Sequence, residues 1–266
     1  MAKEERSSGR WNGSAGELKI YKMPSEPEGQ DVRFTSLPHS KFLFPPPFTT
    51  LVLGTIGAGK TSFMYSLLAH YYPGYFDLVM VFTGTKDSNE VWEDEITPAR
   101  DGEVRVYNTF NNSDFGKWVA ELETFQLAQR DAGKPLKRVC VMFDDMMGQQ
   151  IMGNHTRTTL DHFMLHCRHY NASVLLATQY LKLVSRSSRE QGMFAAAFRM
   201  NAEQLEDFVD AFRRHASKAA VRGLYHAVRD DKSNPYQFLL VDGKTGDKDA
   251  VFRVGFKTYV PLPNEH

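Results

Sequence analysis

The stretch that decides the fold runs from Thr49 to Tyr72. An apolar strand, Thr49-Thr-Leu-Val-Leu53, leads into Gly54-Thr-Ile-Gly-Ala-Gly-Lys-Thr61. Phe63, Met64, Leu67, Leu68 and Tyr71 follow at helical spacing. Gly54, Gly59, Lys60 and Thr61 complete the phosphate-loop pattern G-x-x-x-x-G-K-[ST]. The pattern lies where its chemistry needs it, between a strand and a helix. There the N–H groups of the turn and of the helix N-terminus point at phosphate oxygens. Gly57 and Gly59 let the backbone come close without a Cβ in the way. The residues expected to cradle the nucleotide are Gly54, Thr55, Ile56, Gly57, Ala58, Gly59, Lys60, Thr61 and Ser62. Lys60 is expected to bridge the β- and γ-phosphates, and the Thr61 hydroxyl to ligate magnesium. ATP and Mg2+ are the implied cofactors, with hydrolysis the implied reaction.

Outward from this stretch, apolar runs alternate with amphipathic ones. Strands are predicted over 78–82 and 104–107, and a helix over 115–128. Val139-Cys-Val-Met-Phe143 is a continuous apolar run, the mark of a strand buried on both faces, and it ends in Asp144-Asp145. A helix over about 156–170 follows, then a strand over 173–178 ending in Gln179. A strand over 194–199 and a helix over 202–213 come next. Two last strands, 236–241 and 251–256, flank the turn at 242–246 and are predicted to form a hairpin at a sheet edge. Such alternation predicts an α/β three-layer sandwich with a mostly parallel central sheet. At least one strand, and two by our reading, separate the phosphate loop from the acidic strand. That order fits the additional-strand (RecA/FtsK-like) division of P-loop NTPases rather than the nucleotide kinases.

Asp144 is the expected magnesium carboxylate, and Asp145 the expected general base for the attacking water. A glutamate is commoner at the second position. Gln179, at the carboxyl end of a strand, is placed to bond the γ-phosphate or its water. His162, His166 and His169 share a helix, but no carboxylate or cysteine completes a metal set, so they read as polar-face residues. Trp92, Trp118, the phenylalanines and the tyrosines read as core.

The 266 residues suit one large domain, and the chain carries 32 basic and 32 acidic side chains. That balance excludes wholesale electrostatic capture of nucleic acid and leaves only local contacts. Residues 1–40, rich in Ser, Gly, Pro and charge, are expected to form a flexible or loosely docked tail. The ATPase domain is expected over 41–260, with a short tail at 261–266. Cys140 and Cys167 read as buried thiols, which fits a reducing compartment. The N-terminus has no apolar signal core, and no apolar run reaches membrane-spanning length, so a soluble protein that is not secreted is expected.

Together these motifs resemble the DNA-packaging ATPases of large DNA viruses, the poxvirus-type group with relatives in virophages, within the FtsK/HerA superfamily. The resemblance spans about Thr49 to Asp242. Its most specific part is Arg168-His-Tyr-Asn-Ala-Ser-Val-Leu-Leu-Ala-Thr-Gln-Tyr180. Arg189 stands ten residues past Gln179, where similar proteins carry an arginine. This chain has Gln191 where the family often has asparagine, and it lacks the proline usual before that arginine. The resemblance implies a homo-oligomeric ring that pumps double-stranded viral DNA into a preformed capsid, with a capsid or portal-vertex protein as partner. It implies a site in the host cytoplasm or virus factory, or on the virion. It also implies that a neighbouring subunit supplies an arginine finger, for which Arg189 is the first candidate and Arg186 the second. Two other readings compete: a P-loop ATPase driving protein secretion or virion assembly, and a small-molecule kinase, which the strand between the motifs disfavours. Basic segments at 182–189 and 213–222 are candidate DNA-contacting loops.

Overall fold

The apolar runs read from the sequence become the inner strands of one nine-stranded sheet. A computed structural model describes residues 31–84, 92, 96, 98–146, 159–230 and 234–260. Its strands are β1 (Thr49–Leu53), β2 (Leu78–Thr83), β3 (Glu103–Tyr107), β4 (Val139–Asp144), β5 (Ala172–Thr178), β6 (Phe194–Ala197), β7 (Leu239–Asp242), β8 (Phe252–Val254) and β9 (Thr258–Tyr259). Their order across the sheet is β3-β2-β4-β5-β1-β6-β7-β8-β9. Pairing is parallel from β3 through β6 and antiparallel from β6 to β9. β1, β2, β4 and β5 are buried at every position, as expected of parallel strands covered on both faces. Only β3, at the edge, has exposed positions among these parallel strands. The last strands do form an edge hairpin, shorter than predicted and extended by β9.

The helices are α1 (Val32–Thr35), α2 (Lys60–Ser66), α3 (Asn112–Asp131), α4 (Thr159–His166), α5 (Arg186–Glu190), α6 (Ala202–Phe212) and α7 (Lys218–Arg229). α2 passes into a π-helical turn at Leu67–Tyr71. Alternation along each strand divides the core in two. Val52 of β1 faces Phe63, Met64, Leu67 and Leu68 of α2 and its π-turn. Leu51 and Leu53 face the opposite layer, built from α3, α4, α6 and α7. α6 begins with a capping box, in which Asn201 Oδ1 accepts from Gln204 N and Gln204 Oε1 accepts from Asn201 N. A cap of this kind contributes about 1 kcal/mol.

Two segments, one expected as a flexible or loosely docked tail and the other as a candidate DNA-contacting loop, hold helices. Residues 31–40, placed in the predicted N-terminal tail, include α1, and Phe34 there stacks on Tyr72 at 6.4 Å between ring centroids. The basic segment 213–222, expected as a loop, runs into α7, whose Val221, Leu224, Tyr225 and Val228 are buried. Residues 1–30, 156–158 and 261–266 of the predicted tails and helix lie outside the described residues.

Candidate active site

The parallel register brings five carboxyl ends to one edge. Leu53 of β1 pairs with Thr178 of β5 and Ala197 of β6, while Thr83 of β2 pairs with Asp144 of β4. Everything that follows these residues meets beyond that edge, where open α/β sheets hold their ligands. β5 lies between β1 and β4. The two motif-bearing strands are therefore not neighbours, and the sheet is of the additional-strand type.

The loop after β1 has the backbone the sequence calls for. Gly57 and Gly59 take φ of 68° and 101°, in the region that favours glycine. A Cβ on Gly54 would stand 2.9 Å from Phe198 Cβ, so that glycine is required by close approach rather than by φ. The segment after β6 forms the loop's second wall, which the sequence reading missed. The Arg199 carbonyl accepts from Thr55 N at 2.8 Å and from Thr55 Oγ1 at 3.1 Å. Tyr225 of α7 holds this wall by donating to the Phe198 carbonyl and accepting from Met200 N.

Lys60 is 7 % exposed, and its ammonium donates to the carbonyls of Gly54 at 2.9 Å and Thr55 at 3.0 Å. Burial pulls its pKa below the ordinary lysine value, and the charges of Asp145 and Asp144 oppose that pull. The Thr61 hydroxyl donates to the Asp144 carboxylate at 2.9 and 3.1 Å. Asp144 is buried, and burial raises its pKa above the usual carboxylate value. The Thr61 hydrogen bond and Lys60 charge work against this, while Asp145 adds to it. Asp145 stands exposed on a left-handed backbone at φ 52°. Both of its carboxylate oxygens accept from Gln179 Nε2, at 3.1 and 3.2 Å.

The five predicted groups that follow β1, β4 and β5, namely Lys60, Thr61, Asp144, Asp145 and Gln179, thus form one constellation. A hydroxyl and a carboxylate side by side are all-oxygen donors of the kind magnesium takes, so Thr61 and Asp144 fit the cation. A bound magnesium would neutralise charge on the phosphates. Asp145, pinned by Gln179, has an exposed carboxylate able to accept a proton from a water.

Arg189 is not part of this constellation. It lies on α5 and lines a cavity of about 450 Å³ with Arg186, Asp207, Asp210, Arg213 and Arg214. Met193, four residues on, donates to Thr49 at the other end of β1 from the phosphate loop. The Nε of Arg189 is buried with no hydrogen-bond partner among the described residues. Arg186 is exposed and paired with Glu190 at 2.8 Å. The histidines of α4 stack on one another, His162 on His166 at 4.3 Å. Among the described residues no cluster of three or more histidine, cysteine, aspartate or glutamate side chains is placed to hold a metal, and no helix is long and apolar enough to cross a membrane.

This fold and this site define a P-loop ATPase of the additional-strand division. The sequence profile of the poxvirus A32 protein matches residues 38–253, and the chain belongs to that family. No curated relative matches it in sequence. Its fold is similar to that of B204, the DNA-packaging ATPase from Sulfolobus turreted icosahedral virus, at 13 % identity and TM-score 0.53. The match covers 83 % of this chain and all of the other. It is similar at TM-score 0.50 and 14 % identity, with the same coverage, to the genome-packaging NTPase B204 of Sulfolobus turreted icosahedral virus 2 bound to ATP-gammaS. EssC ATPases 2 and 3 from Geobacillus thermodenitrificans share the fold at TM-score 0.52 and 11 % identity, over 83 % of this chain and 41 % of that one.

Proposed function

We propose that the chain is an ATP- and magnesium-dependent motor that moves double-stranded viral DNA into a preformed capsid. The observation that carries the reading is the constellation at the sheet edge: Thr61 on Asp144, Gln179 on Asp145, and Lys60 in the phosphate loop. In this reading Lys60 compensates γ-phosphate charge, and Thr61 and Asp144 hold magnesium. Asp145 takes the proton of the attacking water while Gln179 orients it. Membership of the poxvirus A32 family, and a fold like that of a named DNA-packaging ATPase, support DNA as the cargo.

The place of Arg189 supports a ring. The arginine lies away from its own phosphate loop, so a role in hydrolysis requires a neighbour's nucleotide. A guanidinium arriving from outside would neutralise charge on the γ-phosphate and tie turnover to the neighbour's position. The capsid or portal vertex would anchor such a ring in the host cytoplasm, virus factory or virion.

A fold shared with the cytoplasmic domain of a type VII secretion ATPase, EccC of Thermomonospora curvata, favours one alternative, an ATPase that moves protein. ATPase rate with and without duplex DNA, measured together with oligomer size, separates the two. DNA-stimulated turnover by a ring-sized species is expected. A rate indifferent to DNA would turn the reading toward protein transport.

A further inference from the structure

The phosphate loop has two flanks, and the hydrolytic groups occupy only one. Asp144, Asp145 and Gln179 follow β4 and β5 on one side of β1. On the other side stand the end of β6 and the segment 234–238 that leads into β7. A nucleoside triphosphate with its γ-phosphate at the carboxylates must lay its base toward the β6–β7 flank. On that flank Tyr236 is 62 % exposed. A Cβ on Gly59 would stand 3.0 Å from Tyr236 Cδ1 and 3.8 Å from its Cβ, so the ring lies directly over the loop.

The ring is exposed, but the chain that bears it is held. Tyr236 N donates to Asn234 Oδ1 at 3.0 Å. Arg229 Nη1 donates to the carbonyls on either side, Pro235 at 3.2 Å and Gln237 at 2.9 Å. Phe238 then anchors the segment, with its ring 5.0 Å from both Phe63 of α2 and Phe198 of the loop's second wall. An aromatic ring fixed by its backbone and left open to solvent has the form of a preorganised stacking surface.

We propose that Tyr236 is the stacking surface for the nucleobase of the bound nucleoside triphosphate. The inference rests on the nucleotide site already described. Stacking engages the π-face that every base presents, so Tyr236 adds affinity for the base and leaves the choice among bases weak. It also gives Gly59 a second reason to lack a side chain, since a Cβ there would push the ring aside.

The test compares MgATP with magnesium tripolyphosphate, which offers the phosphates without a base. Affinities are measured by calorimetry for wild type, Tyr236→Ala and Tyr236→Phe. Tyr236→Ala is expected to weaken MgATP roughly tenfold and to leave tripolyphosphate unchanged, with Tyr236→Phe restoring the wild-type value. Unchanged ATP affinity in Tyr236→Ala overturns the proposal. So does an equal loss for both ligands, which would mean that the ring only props the loop. A wild-type chain that binds neither ligand would instead overturn the nucleotide site beneath it.

Discussion

Replacing Asp145 with asparagine separates binding from chemistry. Asp145 is exposed and stands at φ 52°, a backbone that asparagine adopts as readily as aspartate. The fold should therefore feel less than about 0.5 kcal/mol. The Gln179 amide, now donating to both carboxylate oxygens, keeps the asparagine Oδ1 as acceptor, so the side chain stays where it is. Only basicity is lost. General-base catalysis supplies roughly 10²- to 10⁴-fold, or about 2.7–5.4 kcal/mol of barrier. Nucleotide binding should hold or tighten. Asp145 adds to the effect of burial in raising the Asp144 pKa, so its removal leaves Asp144 more readily ionised for the cation. It also removes a negative charge from beside the phosphates. Asp145→Asn should melt within about 2 °C of wild type, bind MgATP at least as tightly, and lose roughly 10²- to 10⁴-fold in kcat. A kcat within about tenfold of wild type, in a normally melting protein, refutes the base assignment. A large fall in Tm refutes the backbone argument.

Asp144→Asn should abolish magnesium-dependent turnover yet stabilise the nucleotide-free chain by about 0.5–2 kcal/mol at neutral pH, read by chemical denaturation. The reason is the raised carboxyl pKa. The folded chain holds this proton more tightly than the unfolded one, so its stabilising effect is lost as pH rises from the ordinary carboxylate value through the raised one. Wild-type turnover should fall on acidification through that same window, measured as kcat/KM against pH, and a variant no more stable than wild type would contradict the burial argument. Arg189→Ala subunits mixed with wild type should depress activity more steeply than their fraction, because each poisons a neighbour's site, whereas a linear fall argues against a trans-acting finger. Arg253→Met should cost about 3–5 kcal/mol in urea unfolding. It strands the buried Asp242 carboxylate, which now pairs with Arg253 Nη2 at 2.6 Å between β7 and β8, and a cost below about 1 kcal/mol would refute that pairing's importance.

What the sequence made legible was local. The glycines, Lys60 and Thr61 mark their loop because phosphate binding admits few alternatives. An apolar run ending in Asp144-Asp145 marks a strand with a polar end. The additional-strand division was legible from the order of the motifs, but which strand parts β1 from β4 was not, since placing β5 there depends on long-range pairing that no window of residues records. α7 was hidden by composition. Its buried Val221, Leu224, Tyr225 and Val228 keep helical spacing, but they lie among basic residues and around Gly223. The β6 wall was missed because Arg199 acts through its carbonyl, a group every residue carries. Tyr236 was read as core, and only the fold shows it exposed over Gly59. Asp161 left a fainter signal: a carboxylate beside Leu160 on a buried helix face. It accepts from the hydroxyls of Ser185 and Ser188, and so holds the segment that bears Arg189.

The central claim is that hydrolysis at the sheet edge moves duplex DNA. Displacement of a third strand from a DNA triplex, followed in real time, tests it most directly. The account predicts displacement with MgATP, none with a non-hydrolysable analogue, and none with Lys60→Ala, which removes the ammonium at the phosphate loop. Robust ATP hydrolysis by the assembled ring on duplex DNA, without displacement of the third strand, would contradict it.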